Sequence, residues 1–187
     1  HIYSQFNDNV VCLPTCIDVS QFKAFPKNHE GIRIGWFGYE EDFNNFGLIK
    51  DVLPEIQRDY PEVTFVFMGA NFDSSFSNVK HEYHQAVTKD MLPLKLAHLD
   101  LDIALIPATN DNYNLYKTPV RWCEMSALGI PCVTSYNAPY DSLGANNAVY
   151  IENNDNWYQG IATLVEDSIL RAKIGGSAKR FVEKNFD

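Results

Sequence analysis

The sequence has no apolar run approaching the roughly 18 residues that cross a bilayer, and its start carries no charged segment followed by an apolar one. The chain therefore reads as soluble. It lacks an initiator Met, so it reads as a piece of something longer. Cations are scarce: 15 Lys and Arg stand against 24 Asp and Glu, a formal net charge of −9. With a pI near 4.9, a non-specific binder of nucleic acid or of an anionic membrane surface is excluded, since such proteins need cationic surface to neutralise phosphates. Four cysteines, at 12, 16, 123 and 132, form no CxxC pair. Nothing near Cys12 and Cys16 supplies a second ligand pair, so the reading is of reduced, partly buried thiols in a cytoplasmic protein with no metal. No GxGxxG follows the first strand candidate, whose end reads Gly38-Tyr39-Glu40-Glu41-Asp42. A dinucleotide-dependent oxidoreductase domain fails on that ground.

What is present is an ordinary globular composition, 45% hydrophobic and 21% charged over 187 residues, which suits one domain with one sizeable core. Residues 1–30 read as a crossover or linker segment, with the polar stretch Lys27–Gly31 at its end, and 31–187 as the folded unit. From Ile32 onward strand and helix alternate. Ile32–Phe37 and Val63–Met68 are β-branched and aromatic runs closed by Gly38 and Gly69. Residues 48, 49, 52, 53, 56 and 60 recur at helical spacing, with Pro54 either kinking that helix or in its first turns. A third strand is predicted at Val79–Tyr83 and a helix near Met91–Leu99. Asp102–Pro107 is apolar without alternation, as in a parallel strand covered on both faces. The pattern then predicts a helix with Thr118 as N-cap, Pro119 at its first position and Gly129 as its stop. Strands at Cys132–Ser135 and Ala148–Ile151 and helices at Asp155–Glu166 and Ser168–Lys184 follow, with Trp157 and Phe181 turned toward a core. The order predicts a Rossmann-like α/β fold, a parallel sheet with helices on both faces and ligands outside the carboxyl ends of its strands.

The densest chemistry lies between Asn114 and Pro131. It follows a buried strand and opens a helix, so backbone N–H groups and the positive end of a helix dipole point where an anion could sit. Lys117, Arg121 and Glu124 are spaced to share one face if helical geometry reaches back to Lys117. The competing reading makes Arg121 and Glu124 a surface ion pair and leaves Lys117 solvated. Val120, Trp122, Cys123, Met125, Ala127 and Leu128 leave little of that helix to water, and a carboxylate there needs a partner. The acidic run Glu40-Glu41-Asp42 reads as a solvated loop rather than a Mg²⁺ site, and the histidines, scattered singly, as surface or satisfied core residues.

The block KTPVRWCEMSALGIPCVTS, residues 117–135, with YNAPYDSL after it and NNDNWYQGIATLVEDSILRAKIGGSAKRFVE beyond, resembles the C-terminal half of GT-B glycosyltransferases, in particular the retaining enzymes of glycosyltransferase family four. NVVCLPTCIDVSQF, IRIGWFGYEEDFNNFGLI, YPEVTFVFMGA and LDLDIALIPATNDNYNLYK resemble the crossover, the first two βα units and the approach to the donor site. The resemblance runs from about Val10 to Val182. It implies a donor-binding domain for a UDP- or GDP-linked sugar, acting in polysaccharide biosynthesis without a metal. The acceptor, a glycan or a lipid-linked sugar, would be held through a missing N-terminal domain, and a full-length protein could associate peripherally with a membrane.

By position, Glu124 matches the Glu that hydrogen-bonds the ribose hydroxyls. Asn114, Tyr116, Lys117, Thr118 and Pro119 fall in the loop whose amides face donor sugar and diphosphate, with Arg121 close behind. Gly38 matches the glycine that lets the first turn approach the donor, and Tyr83 and His84 fall in the base-contacting segment. Two departures stand out. Tyr116 replaces the first Glu of the paired-Glu motif, and Tyr39–Asp42 replaces a segment that often carries Arg and Lys, so a diphosphate would lean on Lys117, Arg121 and the helix start. The alternative is a degenerate, non-catalytic GT-B domain kept as a binding or scaffolding module.

Overall fold

The computed structural model describes residues 3–11, 13, 15–70, 79–137 and 139–187. Six strands, β1 (Ile32–Gly38), β2 (Val63–Gly69), β3 (His81–His84), β4 (Ile103–Ile106), β5 (Cys132–Ser135) and β6 (Val149–Ile151), form one sheet. All its pairings are parallel. The order is β3-β2-β1-β4-β5-β6, so the chain reverses its winding direction between β1 and β4. In an open α/β sheet that switch point is where a crevice forms at the carboxyl ends.

Helices cover both faces, and the alternation within each strand sorts the core accordingly. Phe65, Phe67, Ile103 and Leu105 point to one face, with Leu53 and Ile56 of α2 (Leu53–Asp59) and Trp157, Ile161 and Leu164 of α6 (Trp157–Glu166). Val66, Met68, Ala104 and Ile106 point to the other. There they meet Leu96 of α3 (Leu92–His98), Trp122, Cys123 and Met125 of α5 (Val120–Ala127), and Ala178 and Val182 of α7 (Ser168–Asn185). Two short helices, α1 (Phe43–Phe46) and α4 (Asn112–Leu115), stand in the loops after β1 and β4. Among the described residues no helix is long and apolar enough to cross a membrane.

The segment before β1 is tied to this body. Phe22 is buried in the second core. Ile17 N donates to Phe186 O at 2.8 Å, and Lys27 pairs with Asp100 and Asp102 at 3.4 and 3.3 Å.

Several sequence expectations need correction. The helix predicted from residue 48 starts at Leu53, and of the two readings of Pro54 the second holds: it lies in the first turn of α2, where its missing N–H costs nothing. The third strand is His81–His84, displaced toward the carboxyl end of the predicted run. At α5 the N-cap is Pro119, with ψ of 35°, and Val120 is the first helical residue. Thr118 is exposed and caps nothing. The Pro119 carbonyl accepts the first helical bond, from Cys123 N at 2.9 Å, which sets the start one residue later. Cys123 and Cys132 are buried and Cys16 is exposed, while Cys12 lies outside the described residues. Trp157 is core as expected, and Phe181 packs edge-on against Trp122.

Two glycines show how closely the strand ends approach. Gly69 has φ of +101°, and a Cβ there would stand 2.1 Å from the Gly38 carbonyl oxygen. Gly129, at φ +77° just past α5, has only the flexible Lys179 side chain within 4.0 Å. Gly69→Ala is expected to lower unfolding free energy by roughly 2–4 kcal/mol, strain and clash together. Gly129→Ala, with strain alone, is expected to cost about 1 kcal/mol. Urea denaturation of the two variants checks the order, and equal losses would contradict the backbone clash at Gly69.

Candidate functional site

A cleft of about 370 Å³ opens at the carboxyl ends of β1, β2 and β4. Phe37 and Gly38 end β1, Met68 and Gly69 end β2, and Pro107 follows β4, so the cleft spans the switch point. Ala86, Val87, Lys89 and Leu92, between β3 and α3, form another wall. Asn114, Lys117, Thr118, Val120, Arg121 and Glu124 complete it from the loop after β4 and from α5.

The loops after β1 and β4 are fastened by buried polar groups. Asn114 Nδ2 donates to Asn45 Oδ1 at 2.8 Å and to Thr109 O at 3.0 Å. Asn45 Nδ2 donates in return to Asn114 Oδ1 at 3.3 Å. Asn45 Oδ1 also accepts from Thr109 N at 2.9 Å. The amides of Asn114, Leu115 and Lys117 are engaged inside the loop by Asp111 and by the Asn114 carbonyl, so they do not face the cleft as free donors.

The acidic run after β1 is not simply a solvated loop. Glu40–Asp42 form a single 3₁₀ turn that turns Asp42 inward, to 1% exposure. Its Oδ1 accepts from Lys117 Nζ at 3.1 Å, its Oδ2 accepts from Tyr39 N at 3.1 Å, and Oδ2 also pairs with Arg121 Nη2. Burial works to raise the Asp42 pKa, but the Arg121 hydrogen bond and charge, the Tyr39 amide and Lys117 outweigh it and bring the carboxyl down to about 2. Gly38 makes room for this arrangement, since a Cβ there would press on the Trp36 ring at 2.6 Å and meet Asp42 Oδ2 at 3.1 Å.

The competing reading of a surface pair between Arg121 and Glu124 therefore fails: Arg121 binds Asp42 instead, and Lys117, which precedes α5, is not merely solvated. Glu124 is left buried at 9% exposure with no hydrogen bond from any described residue. Burial pushes its pKa up to about 7, with only a partial offset from the charges of Arg121 and Lys89. A carboxylate held this way is built to accept from donors that the protein does not itself provide.

Of the residues singled out in the sequence, Gly38, Asn114, Lys117, Thr118, Arg121 and Glu124 come together in the cleft. Tyr116 is 68% exposed and is not on its walls, nor is Pro119. His84 is not on them either. Its Nδ1 accepts from Lys95 Nζ at 3.0 Å, and burial and the Lys95 charge hold it below the ordinary histidine value. Tyr83 donates to Gly69 O at 2.7 Å. Sequence reasoning missed Asn45, Lys89 and Tyr140 in the cleft wall, and it missed the role of Asp42. Among the described residues no group of three or more His, Cys, Asp or Glu side chains comes together to hold a metal ion.

This architecture is the Rossmann-like α/β fold of the C-terminal domains of GT-B glycosyltransferases. The C-terminal domain of a group 1 family glycosyl transferase, LpcC, from Francisella tularensis superposes with a TM-score of 0.72 at 15% identity, over 91% of this chain and 98% of that one. HepE from Anabaena, solved with UDP and glucose, gives 0.70 at 15% identity over 92% of this chain and 51% of its own. TarM from S. aureus, solved with UDP, fondaparinux and α-GlcNAc-glycerol, gives 0.68 at 15% identity over 100% and 38%. The chain thus spans nearly all of the isolated LpcC domain but about half of HepE or less than half of TarM. No family model and no curated protein matches the sequence.

Glu124, on the cleft wall, and Asp42, which holds two cations of that wall, carry opposite signs in stability. Glu124, raised from 4.5 to about 7, contributes stability that is full below pH 4.5 and lost as pH rises through about 7. Asp42, lowered from 3.8 to about 2, contributes stability present above pH 3.8 and lost as pH falls through about 2. Between pH 5 and pH 8 the wild type is expected to lose on the order of 3 kcal/mol relative to Glu124→Gln. Chemical denaturation of both proteins across that range checks it, and parallel pH curves would show that Glu124 titrates normally.

Proposed function

We propose that this chain is the donor-binding domain of a glycosyltransferase that takes a sugar from a nucleotide sugar to a glycan or lipid-linked acceptor with retention of configuration. It would work in the cytoplasm, in polysaccharide biosynthesis. The observation that carries the reading is Glu124: a buried carboxylate on the wall of the switch-point cleft that accepts no hydrogen bond from any described residue. Two vicinal ribose hydroxyls would satisfy its lone pairs at once. Phe37, Met68, Val87 and Leu92 give apolar walls suited to a flat base. The UDP complexes of HepE and TarM favour a UDP-linked over a GDP-linked donor. The ribose contact itself calls for no metal, because the carboxylate accepts directly from hydroxyls. The acceptor and the reacting groups on its side would come from a further domain; the HepE and TarM chains extend well beyond the part that this chain matches.

A specific observation favours a second reading, a non-catalytic GT-B domain kept for binding or scaffolding. Tyr116 stands where the resemblance expects a carboxylate facing the transferred sugar, and its side chain is exposed. Donor turnover by a full-length protein separates the two.

Titration calorimetry with uridine, UDP, guanosine and GDP, with and without EDTA, tests the binding. Uridine-containing ligands are expected to bind equally well with the chelator present, and binding abolished by EDTA would overturn the metal-free reading. Glu124→Ala is expected to weaken them by about 2–4 kcal/mol. At pH 8 the same change should not lower stability as loss of a structural ion pair would. Unchanged affinity in a folded Glu124→Ala protein would remove the ribose assignment.

A further inference from the structure

Lys117 and Arg121 are cations on the cleft wall, in the place where a phosphate group would be held under the reading above. Both are already engaged. Lys117 Nζ lies 3.1 Å from one Asp42 oxygen and 4.0 Å over the Tyr113 ring. Arg121 is paired with the other Asp42 oxygen and faces the Phe37 ring at 5.6 Å. Asp42 cannot swing into solvent as a surface carboxylate would, because it is 1% exposed and also accepts from the Tyr39 amide at 3.1 Å.

An entering diphosphate would meet two competing costs. Each cation that turned to it would leave the buried Asp42 charge short of a partner, and a buried carboxylate stripped of its cation is strongly unfavourable. If the cations stayed on Asp42, the phosphates would approach a like charge with only shared positive charge to offset it. Glu124, on the same wall, adds a further negative charge when ionised. Lys89 is the remaining cation among the described cleft residues, and it lies on the wall between β3 and α3.

We infer that Asp42 acts as a resident anion that occupies Lys117 and Arg121, so that this cleft selects its ligand through the neutral, hydroxyl-bearing nucleoside and gains little from the diphosphate. The inference rests on the nucleotide reading above and sets its ligand preference. Asp42 is thus a specificity-determining residue. A product nucleotide would leave as readily as its nucleoside, because no phosphate grip holds it.

The test is calorimetric titration of uridine and UDP into the 187-residue chain and into Asp42→Asn, at low and high NaCl. In the wild type the two dissociation constants should agree within about threefold and move little with salt. In Asp42→Asn, with the cations released, UDP should tighten about tenfold or more at low salt while uridine stays put, and the gain should shrink as salt rises. UDP binding to the wild type far more tightly than uridine, with strong salt dependence, would overturn the inference and leave the nucleotide reading standing. That wild-type comparison decides the matter even if Asp42→Asn does not fold. Failure of both ligands to bind either protein would overturn the inference together with the reading beneath it.

Discussion

A parallel sheet covered by helices on both faces leaves its chain few places where polar groups can meet. The interior of this domain is apolar on either side of the strands, and the reversal between β1 and β4 sends the following loops apart, opening a crevice at the carboxyl ends. Those loops carry backbone and side-chain polar groups that cannot go into the core. They are therefore satisfied against each other, by the reciprocal Asn45–Asn114 amide pair and by Asp42 with Lys117 and Arg121. The cleft is what remains between loops fastened in this way, and its shape follows from the topology before any ligand is considered.

Two carboxylates, Glu124 on the cleft wall and Asp42 paired with Lys117 and Arg121, show how environment separates chemically identical groups. Asp42 is the more deeply buried, yet it is held ionised because two cations and an amide converge on it. Glu124 is nearly as buried and is pushed the other way by that burial, since no described residue donates a hydrogen bond to it. A satisfied carboxylate stabilises the loops around it, while an unsatisfied one stores a cost that a ligand can relieve. The asymmetry is the physical ground for reading Asp42 as part of the scaffold and Glu124 as part of the binding surface.

Much of the sheet could be read from local sequence because its strands are short apolar runs bounded by turn residues. Val63–Gly69 and Cys132–Ser135 appear where their composition puts them. Strand β3 was harder: His81–His84 is polar, an edge strand half open to solvent, so composition gives it no sharp limits. The start of α5 was misplaced by one residue because Thr-Pro is a strong local signal for an N-cap, while the observed start follows from the Pro119 backbone. Glu124 was legible as a carboxylate in an apolar helix needing a partner. Asp42 was not, since three consecutive acids look solvated from any local window. Its burial is decided by cations 75 and 79 positions further along the chain, and nothing in Tyr39–Asp42 itself signals them.

Likeness of fold at 15% identity carries the strand topology and not the charges that line the cleft. In this chain the charge of Arg121 acts on two carboxylates. Its charge lowers the pKa of both, but its hydrogen bond goes to Asp42 alone. Direct contact with one carboxylate is worth more than proximity to the other, so the pair at Asp42 is made at the expense of Glu124. The unpaired state of Glu124 is therefore coupled to the acidic residue after β1. A cation in place of Asp42 would leave Arg121 without its carboxylate partner and would draw the Glu124 pKa down. The same substitution would open the wall to phosphate. The proposed charge preference and the proposed ribose contact of this cleft would thus be set together by one side chain, at the turn where the first strand ends.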